Sequence, residues 1–237
     1  MNKTIFIYWD QKFINSPLVV KKCLQSWKEK NPTWNIIELD KDNLKNYVDI
    51  EKEIPNFKNK IIDKCHYADI VRLFLLEKYG GCWCDATTFC IKPLDNWLLE
   101  NTSTGFFAFN KPGNDRLLSI WFLYAEKNNF IIRKWKERIL KYWTNHNRIN
   151  HYFRHMYLFE NVYKNNKEFK EMWDLTPKIS ANEPHFLLSK ILNKVNDQVK
   201  EHIKNKKAPL YKLTYKYNKQ RYNNTCVLAY LFNLKLK

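Results

Sequence analysis

The chain has 237 residues, 45% hydrophobic and 16% aromatic, which is enough for a core of its own and excludes a disordered chain. Four glycines and eight prolines exclude collagen-like and linker-rich classes. Lys plus Arg is 41 against 24 Asp plus Glu, and the resulting +17 attracts nucleic acid, anionic lipid or phosphorylated substrates, unless it is mostly solvated surface.

Near the N-terminus only Ile5 to Trp9 is apolar, too short for a signal-peptide core and without a small-residue cleavage site. No apolar run approaches the ~18 residues of a membrane span. A cytoplasmic chain is expected, and with it free thiols at Cys23, Cys65, Cys82, Cys84, Cys90 and Cys226. Cys82, Cys84 and Cys90 with Cys65-His66 raise zinc as an alternative, but the spacing is not the CxxC of structural sites.

In chain order, Thr4 to Trp9 reads as a strand, short, β-branched and aromatic. Ser16-Pro17 opens a helix, with Ser16 as N-cap, that runs to about Lys30 and stops before Asn31-Pro32. Trp34 to Leu39 is a second strand, and a helical segment follows Asp40 to Asp42. This alternation argues for an α/β layer with a parallel sheet. Asp63 to Tyr79 is the clearest helix, with Gly80 as its left-handed cap. Gly81 to Cys90 is extended and Phe106 to Phe109 is a strand. Helices are expected over Leu117 to Ala125, Phe130 to Tyr142 and Phe186 to Lys204. Cys226 to Phe232, before Lys235-Leu236-Lys237, is a core segment or a membrane-touching tail. The expectation is one α/β part over about 115 residues and a mainly helical part over 116–237.

Chemistry concentrates in Tyr67 to Asp95. Asp69 and Arg72, three apart on a helix, share a face, with His66 one turn earlier. In the strand, Trp83, Asp85 and Thr87 point one way, and Cys82, Cys84 and Ala86 the other. A carboxylate at a strand end, two residues before another oxygen, suits Mg²⁺ or Mn²⁺. Taken singly, Asp69–Arg72 is an ordinary helix ion pair and Asp85 a turn residue. Together with Gly80-Gly81 the combination is far less ordinary.

With these residues the chain resembles the capsular polysaccharide synthesis proteins, relatives of the family-32 glycosyltransferases. TIFIYWDQ (residues 4–11), ADIVR (68–72) and GGCWCDAT (80–87) carry the resemblance. LQSW, NP and WNIIELD, within residues 24–40, fit it as well. Ser119 to Phe122, His155 and Pro184-His185 are weaker landmarks. The resemblance implies a GT-A fold with a Rossmann-like central sheet, a UDP-linked sugar donor and retention of anomeric configuration. It implies donor contacts from Tyr8 or Trp9 to the base and from Asp69, Arg72, Asp85, Ala86 and Thr87 to the rest. Asp85, Arg72 and Asp69 would be the catalytic residues. Mn²⁺ or Mg²⁺ would be held by Asp85 and Thr87, with His185 the candidate third ligand against a packed or surface histidine. The sequence departs from the family in having Thr87 at the second carboxylate of DxD, and Ile120 where an Asn is common. The implied acceptor is a growing saccharide, free or on a lipid diphosphate at the inner membrane face, with peripheral attachment through the +17 charge and the apolar tail. Two alternatives remain. One is a donor-binding but inactive scaffold. The other is a nucleic-acid-binding protein, from Tyr211, Tyr215, Tyr217 and Tyr222 among lysines and Arg221.

Overall fold

A computed structural model describes residues 2 to 234. The elements are β1 (Thr4–Tyr8), α1 (Leu18–Lys30), β2 (Asn35–Leu39), α2 (Ile50–Glu53), α3 (Lys64–Tyr79), β3 (Gly81–Asp85), β4 (Thr88–Cys90), β5 (Phe106–Gly113), β6 (Arg116–Ala125), α4 (Phe130–Asn145), α5 (Arg154–Asn165), α6 (Lys167–Leu175), α7 (Asn182–His185), α8 (Asp197–Lys204), β7 (Leu210–Lys212) and α9 (Val227–Phe232). The main sheet has the order β2-β1-β3-β6-β5. β1 pairs in parallel with β2 and β3, while β6 runs antiparallel to β3 and β5. β4 and β7 form a separate antiparallel ribbon.

Side-chain alternation divides the core. Phe6, Tyr8 and Trp83 face one layer, packed under α3, α4, α5 and α6. Ile5, Ile7, Cys82 and Cys84 face the other, against α1. A third cluster joins α8, α9 and β7 to Val19 and Cys23 of α1. Because both faces of the sheet are covered, its strands read as continuous apolar runs.

That burial explains one misreading. Residues 116–125 form β6, not a helix, and lie in the sheet between β3 and β5. The run LLSIWFLYA has no period to distinguish a doubly buried strand from a buried helix. A division at residue 115 would cut the β5–β6 hairpin. The expected helix over Phe186 to Lys204 is also shorter, beginning only at Asp197 under an Asn196 cap. Upstream, backbone hydrogen bonds go to the C-terminal segment instead: Val195 N–H to Thr225, Val227 N–H to Asn193 and Leu228 N–H to Ile191. Ser16 does not cap α1, because its hydroxyl donates to the Phe13 carbonyl and Pro17 takes the cap position.

The apolar tail is core. Val227, Leu228, Ala229 and Leu231 of α9 are all buried, and Tyr230 and Phe232 pack partly buried against the same cluster. Lys235-Leu236-Lys237 lie outside the described residues. Among the described residues no helix is long and apolar enough to cross a membrane. Tyr211 is fully buried and Tyr217 and Tyr222 pack against the third cluster, so of the four tyrosines only Tyr215, 39% exposed and edge-on to Trp9, stands at the surface. All six cysteines are free thiols, five of them buried, and no group of three His, Cys, Asp or Glu side chains is placed to hold a metal among the described residues.

Candidate active site

The turn from α3 into β3 sets the site. The Asp63 side chain caps α3 by accepting from the His66 N–H at 2.8 Å. Gly80 and Gly81 have φ of +69° and +97°. A Cβ at Gly81 would stand 2.6 Å from the Thr4 carbonyl oxygen, so this position needs glycine for space as well as conformation. The passage lets β3 run alongside β1 in register, with Tyr8 opposite Asp85 and, on the other side, Leu39. The carboxyl ends of three parallel strands therefore meet at one edge, where ligands bind in open α/β sheets.

Asp69 and Arg72 form a helix ion pair at 2.9 Å, and Arg72 also reaches Asp85 Oδ1 at 3.2 Å. The same guanidinium donates to the carbonyls of Ile120 (2.6 Å) and Ala68 (3.3 Å) and lies 5.0 Å from the Trp83 ring centroid. Arg72 is 3% exposed. Its Nη2 bridges the two carboxylates while Nη1 and Nε go to the backbone carbonyls, so the guanidinium positions the cluster from within. The Trp83 indole N–H donates to Asp85 Oδ1 at 3.0 Å, as expected from side chains on one face of a strand.

Lys212, at the end of β7, completes the cluster. Its Nζ donates to Asp85 Oδ2 at 2.7 Å and to Thr87 Oγ1 at 2.9 Å. Burial pushes the Asp85 carboxyl up, and the charges of Lys212 and Arg72 more than reverse this, holding it below its ordinary value. Sequence reading missed Lys212. It is one lysine in a lysine-rich chain, 127 residues from Asp85, and only the pairing of β4 with β7 brings it there.

His155 is the second partner of Asp69. Its Nδ1 lies 3.2 Å from Asp69 Oδ2, and its Nε2 accepts from the Trp143 indole at 3.3 Å. An indole only donates, so the imidazole proton is on Nδ1 and points at the carboxylate. Burial keeps His155 below its ordinary pKa and therefore neutral.

The residues expected to hold Mn²⁺ or Mg²⁺ do not fit one. Both Asp85 oxygens are engaged by N–H donors, and the Thr87 hydroxyl accepts from Lys212. His185 does not complete a ligand set, because its Nε2 accepts from the Trp121 indole at 3.0 Å. Ala86 is a packed methyl group, leaving only its backbone to a ligand.

Beside Tyr8 opens a cavity of about 290 Å³ lined by Tyr8, Phe57, Tyr67, Lys41, Lys45 and Lys64 among others. Its aromatics supply stacking surface; of its lysines, Lys64 is paired with Asp10 at 2.6 Å and Lys45 with Glu51 at 3.5 Å, both acids also lining the cavity. Trp9 points to the opposite layer, where its ring meets Tyr215 edge-on at 5.2 Å. The geometry thus favours Tyr8 over Trp9 as the base contact. A larger opening, about 440 Å³, lies between the end of α4 and residues 147–154, and its lining contains none of the expected site residues.

The mixed sheet, the carboxylate at the end of β3 and the cavity at the parallel strand ends define a glycosyltransferase fold of the GT-A type. The solved structure of PaToxG glycosyltransferase shares it, with a TM-score of 0.51 and 16% identity over 73% of this chain and 72% of that one. A profile of capsular polysaccharide synthesis proteins matches residues 1–231, and the chain belongs to that family. Among curated proteins it is 27% identical to the O-glycosyltransferase braB of Annulohypoxylon truncatum, over 65% of this chain and 41% of braB. It is 28% identical to the O-glycosyltransferase PaGT of Phomopsis amygdali, over 60% of this chain and 39% of PaGT. The chain thus spans about two fifths of the length of these relatives.

Proposed function

We propose that the chain is a glycosyltransferase that moves a hexose or N-acetylhexosamine from a UDP-linked donor to a hydroxyl of a saccharide acceptor in surface-polysaccharide synthesis. The observation that carries this reading is the Asp69–Arg72–Asp85–Lys212 cluster at the strand ends, beside the cavity of aromatics and lysines. Tyr8 stacks on the base from the cavity wall. Three lysines against the two acids Asp10 and Glu51 leave the cavity lining with a net positive charge, led by Lys41, that draws the anionic donor toward the edge. Asp69 is 12% exposed at its side chain, enough to accept from a sugar hydroxyl while Arg72 and His155 hold it.

The acceptor oxygen attacks the anomeric carbon as the bond to the diphosphate oxygen breaks. The acceptor's proton passes to that leaving phosphate oxygen, on the same face, and the anomeric configuration is retained. A positioned cation stabilises the charge that develops on the leaving diphosphate. Front-face attack asks no carboxylate of the cluster to act as nucleophile, in keeping with Asp69 and Asp85 being held by Arg72, His155, Trp83 and Lys212.

The test is UDP release from a panel of UDP-sugars, alone and with saccharide acceptors. One donor is expected to release UDP, and Asp85→Ala is expected to lower the rate about a hundredfold or more, the scale of losing a charge-positioning group. Anomeric NMR of the product should show retention, and an inverted product would overturn the front-face mechanism. Tight UDP binding without turnover from any donor would reduce the chain to a donor-binding scaffold.

A further inference from the structure

We propose that the ammonium of Lys212 occupies the position of the divalent metal, so that this chain binds its nucleotide diphosphate without Mn²⁺ or Mg²⁺. The inference rests on the nucleotide-sugar reading above and deepens it. The positions a DxD-type segment offers to a metal are Asp85 and Thr87, and Lys212 Nζ sits between them, 2.7 Å from one and 2.9 Å from the other. A carboxylate has about four lone-pair sites. Three on Asp85 already accept N–H groups, from Arg72, Trp83 and Lys212. A metal entering here would have to displace one cation from a largely buried ion pair and coordinate a neutral hydroxyl in its place.

Lys212 is held where it stands. Its residue pairs with Thr88 in the β4–β7 ribbon, and the next N–H, of Leu213, donates to the Thr87 carbonyl at 2.9 Å. The ammonium has three N–H groups, of which Asp85 and Thr87 take two. The third has no acceptor among the described residues, and the side chain is 18% exposed, against 4% for Arg72. Lys212 is thus the cation of the cluster that an incoming phosphate oxygen can reach. A lysine serves phosphate as a fixed point charge. His185 does not restore a metal set: the one lone pair of its neutral ring, on Nε2, is taken by the Trp121 indole N–H.

Calorimetric titration of chelator-treated full chain with UDP tests this, in EDTA and again in Mn²⁺, with free Mn²⁺ followed by electron paramagnetic resonance. UDP affinity is expected to agree within about threefold in the two buffers, and protein alone is expected to take up no Mn²⁺. Lys212→Met should weaken UDP about ten- to a hundredfold, the scale of one charge-assisted hydrogen bond, and leave uridine binding nearly unchanged. Lys212→Arg should keep most of the UDP affinity. UDP binding that appears only with Mn²⁺ overturns the proposal and leaves the donor reading standing. So does a Lys212→Met protein with unchanged UDP affinity. Failure to bind UDP, GDP or uridine in either buffer overturns both.

Discussion

The two oxygens of Asp69 are held by a guanidinium and by a neutral imidazole, and the second has a consequence for pH. His155 is 1% exposed and sits below its ordinary pKa through burial, with Arg72 and His66 pushing the same way and Asp69 opposing them. Its neutral form is the one that folds. In the unfolded chain a histidine takes up a proton as pH falls through about 6.5, while the folded chain resists until its own lower value. Stability is therefore complete above pH ~6.5 and declines below it, by up to about 1.4 kcal/mol per pH unit for each excess proton. His185, also held low by burial and by Lys212, adds to the same slope. Denaturant melts between pH 5 and 7.5 should show the decline, and His155→Asn should remove part of it. Equal slopes in the two proteins would refute the assignment. Asp85 contributes in a separate, lower window, because its carboxyl is depressed: its stabilisation is lost only as pH falls below the ordinary carboxylate range.

At the scale of elements, the α3–β3 passage is the least forgiving point in the molecule. Gly81→Ala would push a Cβ into the Thr4 carbonyl at 2.6 Å and force an alanine to φ +97°. A loss of about 2–4 kcal/mol is expected, read as a lower denaturation midpoint. A midpoint unchanged from that of the parent chain would contradict the close packing of β1 on β3. This passage was legible in the sequence for the same reasons that it is rigid. Asp63 caps, Gly80 and Gly81 break, and the Asp69–Arg72 spacing is local. Local signals also placed α1, α4 and the first two strands to within a residue or so at their starts, apart from a longer reach for α4 at its end. What failed was non-local. β6 is defined by covering layers on both faces, and residues 191–195 by backbone bonds to residues 225–228. The first leaves no periodic trace, and the second carries a helical spacing (Leu188, Leu192, Val195) that the distant bonds override. Lys212 is the same case at the site: its importance comes from a strand pairing and not from its neighbours in sequence.

For the whole molecule, the +17 charge remains mostly unabsorbed by the site. With α9 buried, the +17 charge is what carries the peripheral reading, at about 1 kcal/mol per basic residue near an anionic surface. Sedimentation with anionic phospholipid vesicles should then bring down the protein at low ionic strength and release it as salt shortens the Debye length. Pelleting that survives high salt would point instead to an apolar contact, for which exposed side chains such as Ile14, Ile61, Leu99 and Leu175 are available, and no pelleting would remove the peripheral reading.

The ribbon of β4 and β7 also gives the chain a schedule. Asp69, Arg72 and Asp85 are made early, but the cation that joins Asp85 is translated 127 residues later. At roughly 5–20 residues per second, a ribosome needs on the order of 6 to 25 s to cover that distance. For that interval the nascent chain carries a carboxylate pair and its arginine but no second cation at Asp85. The cluster is completed only when β7 pairs with β4. An interrupted translation product ending before Lys212 would therefore carry the family's recognisable motif and lack the ammonium that pairs with it.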